Sequence, residues 1–314
     1  MRRLIQNSLD PFFNMAFDSY VLEKTDFEGF FLWQDKPSVI VGLNQSVYAE
    51  VNLPFIREQG IELVRRVSGG GAVYHDLGNL CYTFVGYEDG PARVAEALRR
   101  MGVPAELTGR NDIMVEGRKC SGYAKRFAAG RTMVHGTLMF DVNLEDLMNA
   151  LAVPGSKLSA AGIQSVRSKV ANLKEYLPYK TIGEFKEALS GLLSETPGQA
   201  GSDVVVGSDV LKPWQVAEVE KIASEKFRTW DWVYGHSPKT DFRKTVKYPC
   251  GTVTANYSIK HGCITQVSFE GDFIGAKPVS ELVEKIKGLH VEDLSDVPVR
   301  EYFDGVDDIS ELFR

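Results

Sequence analysis

The sequence predicts an α+β fold in which helices flank a largely antiparallel sheet, followed by a small C-terminal α+β module. Three observations carry this. Strand-like stretches follow one another across short turns between 112 and 142, helical spacing marks segments on both sides of that region, and the composition shifts after Trp230-Asp231-Trp232. The boundary is expected near 233–245, giving a larger domain over 1–235 and a smaller one over 241–314.

The elements follow in order. Residues 8–24, SLDPFFNMAFDSYVLEK, predict an opening helix: Ser8 or Asp10 can cap it, Pro11 suits the first turn, and apolar side chains recur at helical spacing. Phe30–Trp33 and Ser38–Val41 read as strands. Ile61–Val67 is short and β-branched and Leu80–Val85 alternates, so the intervening RRVSGGGAVYHDLGN at 65–79 joins strand to strand. Pro91–Met101 is a short helix with proline at its start. Asp112–Val115, a Glu116-Gly117 turn, Arg118–Ala124 and Thr132–Val142 predict three antiparallel strands, and Leu144–Leu151 a helix. The segment 154–173 lacks periodicity and is expected to be a long functional loop. Helices at 181–193 and 213–227 bracket a Gly/Ser/Pro-rich stretch at 194–209. In the C-terminal module, Val253, Ala255, Tyr257 and Ile259 alternate on one strand and Cys263, Thr265, Val267 and Phe269 on the next, with Lys260-His261-Gly262 between them. A capped helix is expected to begin near Ser280.

Composition narrows the function. The chain has 314 residues, 44% of them hydrophobic, and 36 Lys and Arg against 42 Asp and Glu give a net charge of -6. A general nucleic-acid binder normally has a basic excess, so no nucleic-acid partner is expected and any anion site must be local. The basic start, MRRLIQN, has no apolar run of signal-peptide length, and nothing approaches the ~18 apolar residues of a membrane span. A cytoplasmic protein without a membrane partner is expected. The four cysteines form no C-x-x-C and the five histidines no H-x-x-x-H, which argues against structural zinc and for unpaired thiols in a reducing compartment.

Glycines beside arginines, as in RRVSGGGAVYHDLGN, invite a phosphate reading, because backbone without Cβ atoms brings N–H donors close to an anion. The stretch is no P-loop, since no Gly-Lys-Ser/Thr follows, and Tyr74 breaks the G-x-G-x-x-G register. Three further stretches bear chemistry: Gly109-Arg110-Asn111-Asp112, Arg118-Lys119-Cys120-Ser121-Gly122-Tyr123-Ala124, and Thr132-Met133-Val134-His135-Gly136-Thr137-Leu138. Asn111 and Asp112 suit ribose hydroxyls, base edges or Mg²⁺ on a phosphate. Each stretch also has a plain structural reading: a glycine-rich hairpin, a solvated strand lysine, a hydrogen-bonded core histidine.

Together, RRVSGGGAVYHDLGN, GRNDI, GRKCSGYA, VHGTLMFDVN and SVRSKVANL, in this order and spacing, resemble the lipoate-protein ligase A family. DPFFNMAFDSYVLE and FLWQDKPSVIVGLNQ resemble the family's start, and EKFRTWDWVYGHSPKTDF its junction to an accessory domain. The resemblance implies a mixed sheet of the class II aminoacyl-tRNA synthetase and biotin ligase-like type, carrying an acyl-adenylate site. It implies activation of lipoate with ATP and Mg²⁺ to lipoyl-AMP, then transfer to a lysine of lipoyl-domain proteins, namely 2-oxoacid dehydrogenase E2 subunits or glycine cleavage H protein, by a monomer. Lys119 matches the catalytic lysine that bridges the lipoyl carbonyl and the α-phosphate. Arg66 matches the arginine on the phosphate side, and Gly71, Ala72, Val73 and Tyr74 match the backbone around the adenylate. Asn79, Asn111 and Asp112 fit nucleotide contacts, with Asp112 also the Mg²⁺ ligand. Trp33, Ser68, Gly69, Gly70, His75, Ser121, Gly122, His135 and Gly136 would hold the lipoyl group, and 156–173 would close over the adenylate. The alternative is an octanoyl or lipoyl transferase that works through a cysteine thioester without ATP. In those relatives the nucleophile lies three residues before His-Gly, where this chain has Thr132, and Cys120 should face away from Lys119 because adjacent strand residues point to opposite faces.

Overall fold

Three hairpins of the protein turn on two residues that both have positive φ, the geometry whose twist matches that of the flanking strands. The pairs are Glu116-Gly117 (50°, 76°), Ala129-Gly130 (51°, 73°) and His261-Gly262 (52°, 76°). The computed structural model describes residues 1–108, 111–151, 169–195, 208–235, 240–273 and 275–313. Gly109, Arg110, most of the loop expected at 156–173 and most of the 194–209 stretch lie outside the described residues.

In chain order the elements begin with β1 (Arg3–Leu4), α1 (Pro11–Lys24), β2 (Gly29–Trp33), β3 (Ser38–Val41), α2 (Val47–Glu50), α3 (Leu53–Glu58), β4 (Glu62–Arg65), β5 (Val73–His75) and β6 (Asn79–Val85). They continue with α4 (Gly90–Arg100), β7 (Ala105–Thr108), β8 (Asp112–Val115), β9 (Arg118–Ala128), β10 (Arg131–Met139), α5 (Leu144–Leu151), α6 (Ile182–Ser194), β11 (Ser208–Asp209) and α7 (Pro213–Ile222). The C-terminal part holds β12 (Thr240–Tyr248), β13 (Gly251–Lys260), β14 (Cys263–Gly271) and α8 (Val279–Ile286).

Among the described residues the main sheet runs β11-β1-β2-β6-β10-β9-β8-β7, parallel at β11, β1 and β2 and antiparallel from β2 onward. A smaller mixed sheet runs β4-β3-β5, and β12-β13-β14 is antiparallel. The α+β class with a mixed sheet and flanking helices is therefore observed.

Strands β2 and β6 are buried at every position, so the sheet is covered on both faces. Period two separates the covers. Phe30, Leu32, Tyr82 and Phe84 join one core with Leu98 of α4 and Phe185 of α6. Phe31 instead meets Phe17 of α1 edge to face, with ring centroids 5.0 Å apart. Asp10 caps α1, accepting from Phe12 N at 3.1 Å, while Ser8 Oγ accepts from Asp10 N.

Several expectations shift. β9 and β10 run longer and shorter, respectively, than their apolar spacing suggested, because pairing rather than hydrophobicity sets their ends. The link at 65–79 contains a strand of its own, β5, which pairs with β3. The helix expected over 213–227 is α-helical only to Ile222 and then widens into a π-type turn over Ala223–Phe227. Pro278, not a polar side chain, precedes α8. The loop expected to end at Leu173 ends earlier, since Val170 bridges to Lys119 and Leu173–Glu175 form a 3₁₀ turn.

The chain forms two compact units. One holds Met1–Leu43, Leu53–Leu151 and the described residues from 169 to Thr229. The other combines Asn44–Asn52 with Trp230–Arg314, so a short early excursion folds with the C-terminal part. Within that second unit Trp230 stacks on Tyr234 at 5.7 Å, and Tyr48 of the excursion lies 6.4 Å from Tyr234.

Candidate active site

Strand register assembles the site on the α1 face of the main sheet. Trp33 of β2 pairs with Cys81 of β6, which pairs with Thr137 of β10. One step along, Phe31 pairs with Thr83, Thr83 with His135, and His135 with Ala124 of β9. The side chains of Trp33, Cys81 and His135 thus face the same way, and Met15 of α1 closes over them. A bulge adds Lys119. Ile113 pairs with Ser121 but Met114 with Lys119, so β9 holds one extra residue there. Strict alternation cannot place Lys119 and Gly122 on one face; the bulge does. Both line the pocket, whereas Cys120 points into the opposite core and its thiol donates to Ile113 O at 3.4 Å.

The backbone of Lys119 is pinned on both sides, its N–H donating to Lys169 O at 2.8 Å and its carbonyl accepting from Ala171 N at 2.9 Å. Its Nζ lies 2.7 Å from Asp112 Oδ1. Asn111 Nδ2 donates to Tyr123 O at 3.1 Å, which ties the turn before β8 to β9.

Of the two arginines before the glycine loop, Arg66 holds the loop itself and Arg65 holds the end of β3 beside it. Arg65 donates to Gly42 O and Leu43 O at 2.8 and 3.1 Å. Arg66 donates through Nε to Ser68 Oγ (3.1 Å) and Gly69 O (3.2 Å), through Nη1 to Ile40 O (3.0 Å), and through Nη2 to Gly69 O (2.6 Å) and Gly71 O (2.8 Å). Burial lowers the pKa of both guanidiniums to about 10. Gly70 follows from this clamp: its φ is +93° and a Cβ would lie 2.9 Å from Arg66 Nη2. A Cβ on Gly69 or Gly71 would meet nothing within 4 Å. Gly136 is required by packing, because a Cβ there would lie 2.5 Å from the Tyr82 phenol and 2.9 Å from Gly122 O.

Two buried imidazoles face the pocket, each backed by a carboxylate. His135 Nδ1 is 2.7 Å from Asp18 Oδ2 and its Nε2 is 2.5 Å from Ser68 Oγ. His75 Nδ1 is 2.8 Å from Asp35 Oδ2, while its Nε2 lies 4.0 Å from Cys81 Sγ. Burial raises the pKa of Asp35, against the hydrogen bonds from His75 and Asn14. Burial also pushes the Cys81 thiol well up and the Cys120 thiol to about 12.

Of the residues singled out in the sequence, Trp33, Arg66, Gly70, Gly71, Ala72, Val73, His75, Asn111, Lys119, Gly122, His135 and Gly136 line one pocket. Asp112 adjoins it through Lys119. Four others sit behind the wall: Tyr74 is buried in β5, Ser68 lies under Arg66, Ser121 is buried with Oγ 3.5 Å from the Tyr82 hydroxyl, and Asn79 Nδ2 turns to Cys81 Sγ at 3.2 Å. Gly69 lies in the loop outside the lining. Sequence reasoning missed Met15, Ile40, Cys81, Tyr123, Ala124 and Thr137 in the wall, and Asp18 and Asp35 behind it. A signal existed for Asp18: it is a carboxylate four residues after Asn14 in the mostly apolar first turns of α1.

The family model for the lipoyl protein ligase A/B catalytic domain matches residues 10–193, more than half of the chain and all of this pocket. The chain belongs to that family. The model for the bacterial lipoate protein ligase C-terminus matches 237–312. As a family member the chain is 38% identical to lipoate-protein ligase LplJ of Bacillus subtilis (strain 168), over 96% of this chain and 95% of that protein. Lipoate–protein ligase 1 of Staphylococcus aureus (strain Mu50) is also 38% identical, with the same coverage. Among solved structures, the bi-partite lipoate protein ligase of Thermoplasma acidophilum superimposes with a TM-score of 0.66 at 26% identity, covering 76% of this chain and 98% of that one. A lipoate-protein ligase A bound with ATP gives 0.62 at 26% identity, covering 75% and 98%.

Proposed function

We propose that this protein is an ATP-dependent lipoate-protein ligase, with the catalytic domain in 1–235 and an accessory domain in 241–314. The observation that carries the reading is the pairing of Lys119 with an apolar pocket closed by the glycine loop, in a family whose relatives are lipoate-protein ligases and include one bound with ATP. In the first step a lipoate carboxylate oxygen attacks the α-phosphorus of ATP and pyrophosphate departs. In the second the amine of an acceptor lysine attacks the lipoyl carbonyl, loses a proton and expels AMP. Both steps concentrate negative charge on a few oxygens, so a fixed cation and preorganised donors supply the catalysis. Lys119 is that cation, and its pinned backbone limits how far its charge can wander. Met15, Trp33, Ile40 and Val73 suit an eight-carbon chain with its ring.

Asp112 is the carboxylate that fits Mg²⁺, held mainly by the phosphates as is usual for this ion; no cluster of three or more candidate metal ligands occurs among the described residues. Bound there, the ion would neutralise phosphate charge. The acceptor is a lipoyl-domain protein; the Thermoplasma ligase is described together with an E2 lipoyl domain.

The thioester alternative has little support. Cys120 faces away from Lys119, burial holds the Cys81 and Cys120 thiols protonated, and Thr132 donates to Glu88 at 2.9 Å on the surface. Lipoate-dependent ATP–pyrophosphate exchange in purified protein with Mg²⁺ tests the reading. Exchange is expected, and should persist with all four cysteines replaced by Ser; absence of exchange, with an acyl-thioester trapped on a cysteine, would establish the transferase instead.

A further inference from the structure

We propose that Asp18, which does not line the pocket, is a positioning residue: it fixes the tautomer of His135 and anchors the side chains of Trp33, His135 and Arg66 that do line it. The catalytic consequence rests on the ligase reading above.

The argument is a proton inventory. A carboxylate only accepts, and Asp18 receives two hydrogen bonds, from Thr83 Oγ1 on Oδ1 at 2.9 Å and from His135 Nδ1 on Oδ2 at 2.7 Å. Each bond begins a chain. On one side Trp33 Nε1–H donates to Thr83 Oγ1 at 3.0 Å, and the threonine proton goes on to Asp18. On the other, Arg66 Nε–H can only donate, and is shared between Ser68 Oγ at 3.1 Å and Gly69 O at 3.2 Å. The single Ser68 proton then has His135 Nε2, at 2.5 Å, as its acceptor. With the Ser68 proton directed at Nε2, the His135 ring carries its own proton on Nδ1, directed at Asp18. Both chains end on Asp18, which takes the threonine proton of one and the imidazole proton of the other.

Asp18 is 1% exposed and lies on α1, opposite the strand row that carries Thr83 and His135. One buried carboxylate therefore orients an indole and an imidazole in the pocket, and reaches the guanidinium that clamps Gly69 and Gly71. The set Ser68, His135, Asp18 has the hydrogen-bond order of a catalytic triad. Ser68 is not a nucleophile, however, because it lies outside the pocket lining and its oxygen is engaged by Arg66.

Nitrogen-15 NMR of the full chain labelled at histidine, with His135 assigned by comparison with His135→Gln, reads the tautomer without any activity assay. A protonated Nδ1 and bare Nε2 at neutral pH are expected in the unsubstituted protein; a protonated Nε2 overturns the proposal. The second test is a double-mutant cycle on lipoate-dependent pyrophosphate exchange with Asp18→Asn and Ser68→Ala, which do not touch each other. Each single change should lower kcat/KM by about 10- to 100-fold, and the pair should cost no more than the worse single change, because both break one chain. Multiplying losses would show independent roles and overturn it. If Asp18→Asn fails to fold, the tautomer still decides. If the unsubstituted protein lacks exchange, the ligase reading fails while the tautomer test stands.

Discussion

Lys119 and Arg66 are the Lys and Arg side chains that line the pocket among the described residues, and they stand in opposite situations. The Lys119 side chain is 41% exposed and has one carboxylate partner, at 2.7 Å. Arg66 is 7% exposed and its guanidinium donates to Ser68 Oγ and the carbonyls of Ile40, Gly69 and Gly71. A charge that can leave one exposed partner is available to a ligand, whereas a charge held by buried carbonyls shapes the chain around it. Position in a motif names a cation, but its hydrogen-bond inventory says what the cation does. Arg66, which lines the pocket, also clamps the glycine loop through Gly69 O and Gly71 O.

The largest effect expected from this contrast is on Lys119. Lys119→Ala should reduce pyrophosphate exchange by about 10²- to 10³-fold, the scale of losing a principal electrostatic donor. Stability should change by no more than about 1 kcal/mol, because the ion pair is partly exposed and solvent-screened. Urea titration beside the kinetic assay separates the two, and near-normal turnover would remove Lys119 from its role. Arg66→Lys should show the reverse balance. An ammonium has three donors on a flexible stem and cannot span the acceptors of a planar fork. The abandoned carbonyls should destabilise the fold by about 2–3 kcal/mol in the same titration. Unchanged stability with a raised KM for ATP would instead make Arg66 a phosphate ligand and break the comparison.

Most of the frame was legible because local chemistry determines it. Asp10-Pro11 starts α1, Glu116-Gly117 makes a hairpin, and the buried runs FFLW and NLCYTFV sit at the centre of the sheet. The motif residues were legible through resemblance, and most of them meet in one pocket. What stayed hidden depends on register and long-range pairing. The bulge that lets Lys119 and Gly122 share a face is set by pairing with β8, which alternation alone does not encode. Asp18 meets His135 across 117 positions, and Asp35 meets His75 across 40, so neither carboxylate could be assigned to its imidazole along the chain. Tyr74 was placed with its motif neighbours, yet strand alternation turns it away from Val73 and His75 into the core, whereas Asn79 shares the face of Cys81 and is buried against its Sγ.

The smallest expected effect tests the comparison most finely, because it lies within three consecutive glycines. Gly70 has φ +93° and sits against Arg66 Nη2, so Gly70→Ala must strain the backbone and push the clamp aside, at about 1–3 kcal/mol of stability. Gly71 has open space where a Cβ would go, so Gly71→Ala should leave stability within about 0.5 kcal/mol or raise it slightly. The added methyl would nevertheless project from a residue that lines the pocket. A roughly tenfold rise in the KM for lipoate or ATP is expected, about 1.4 kcal/mol of lost binding. A Gly71→Ala protein that kept both stability and KM would mean that the open space at this glycine is not used by a ligand. The loop would then be shaped by Arg66 alone, and the glycines would belong entirely to the structural side of the comparison.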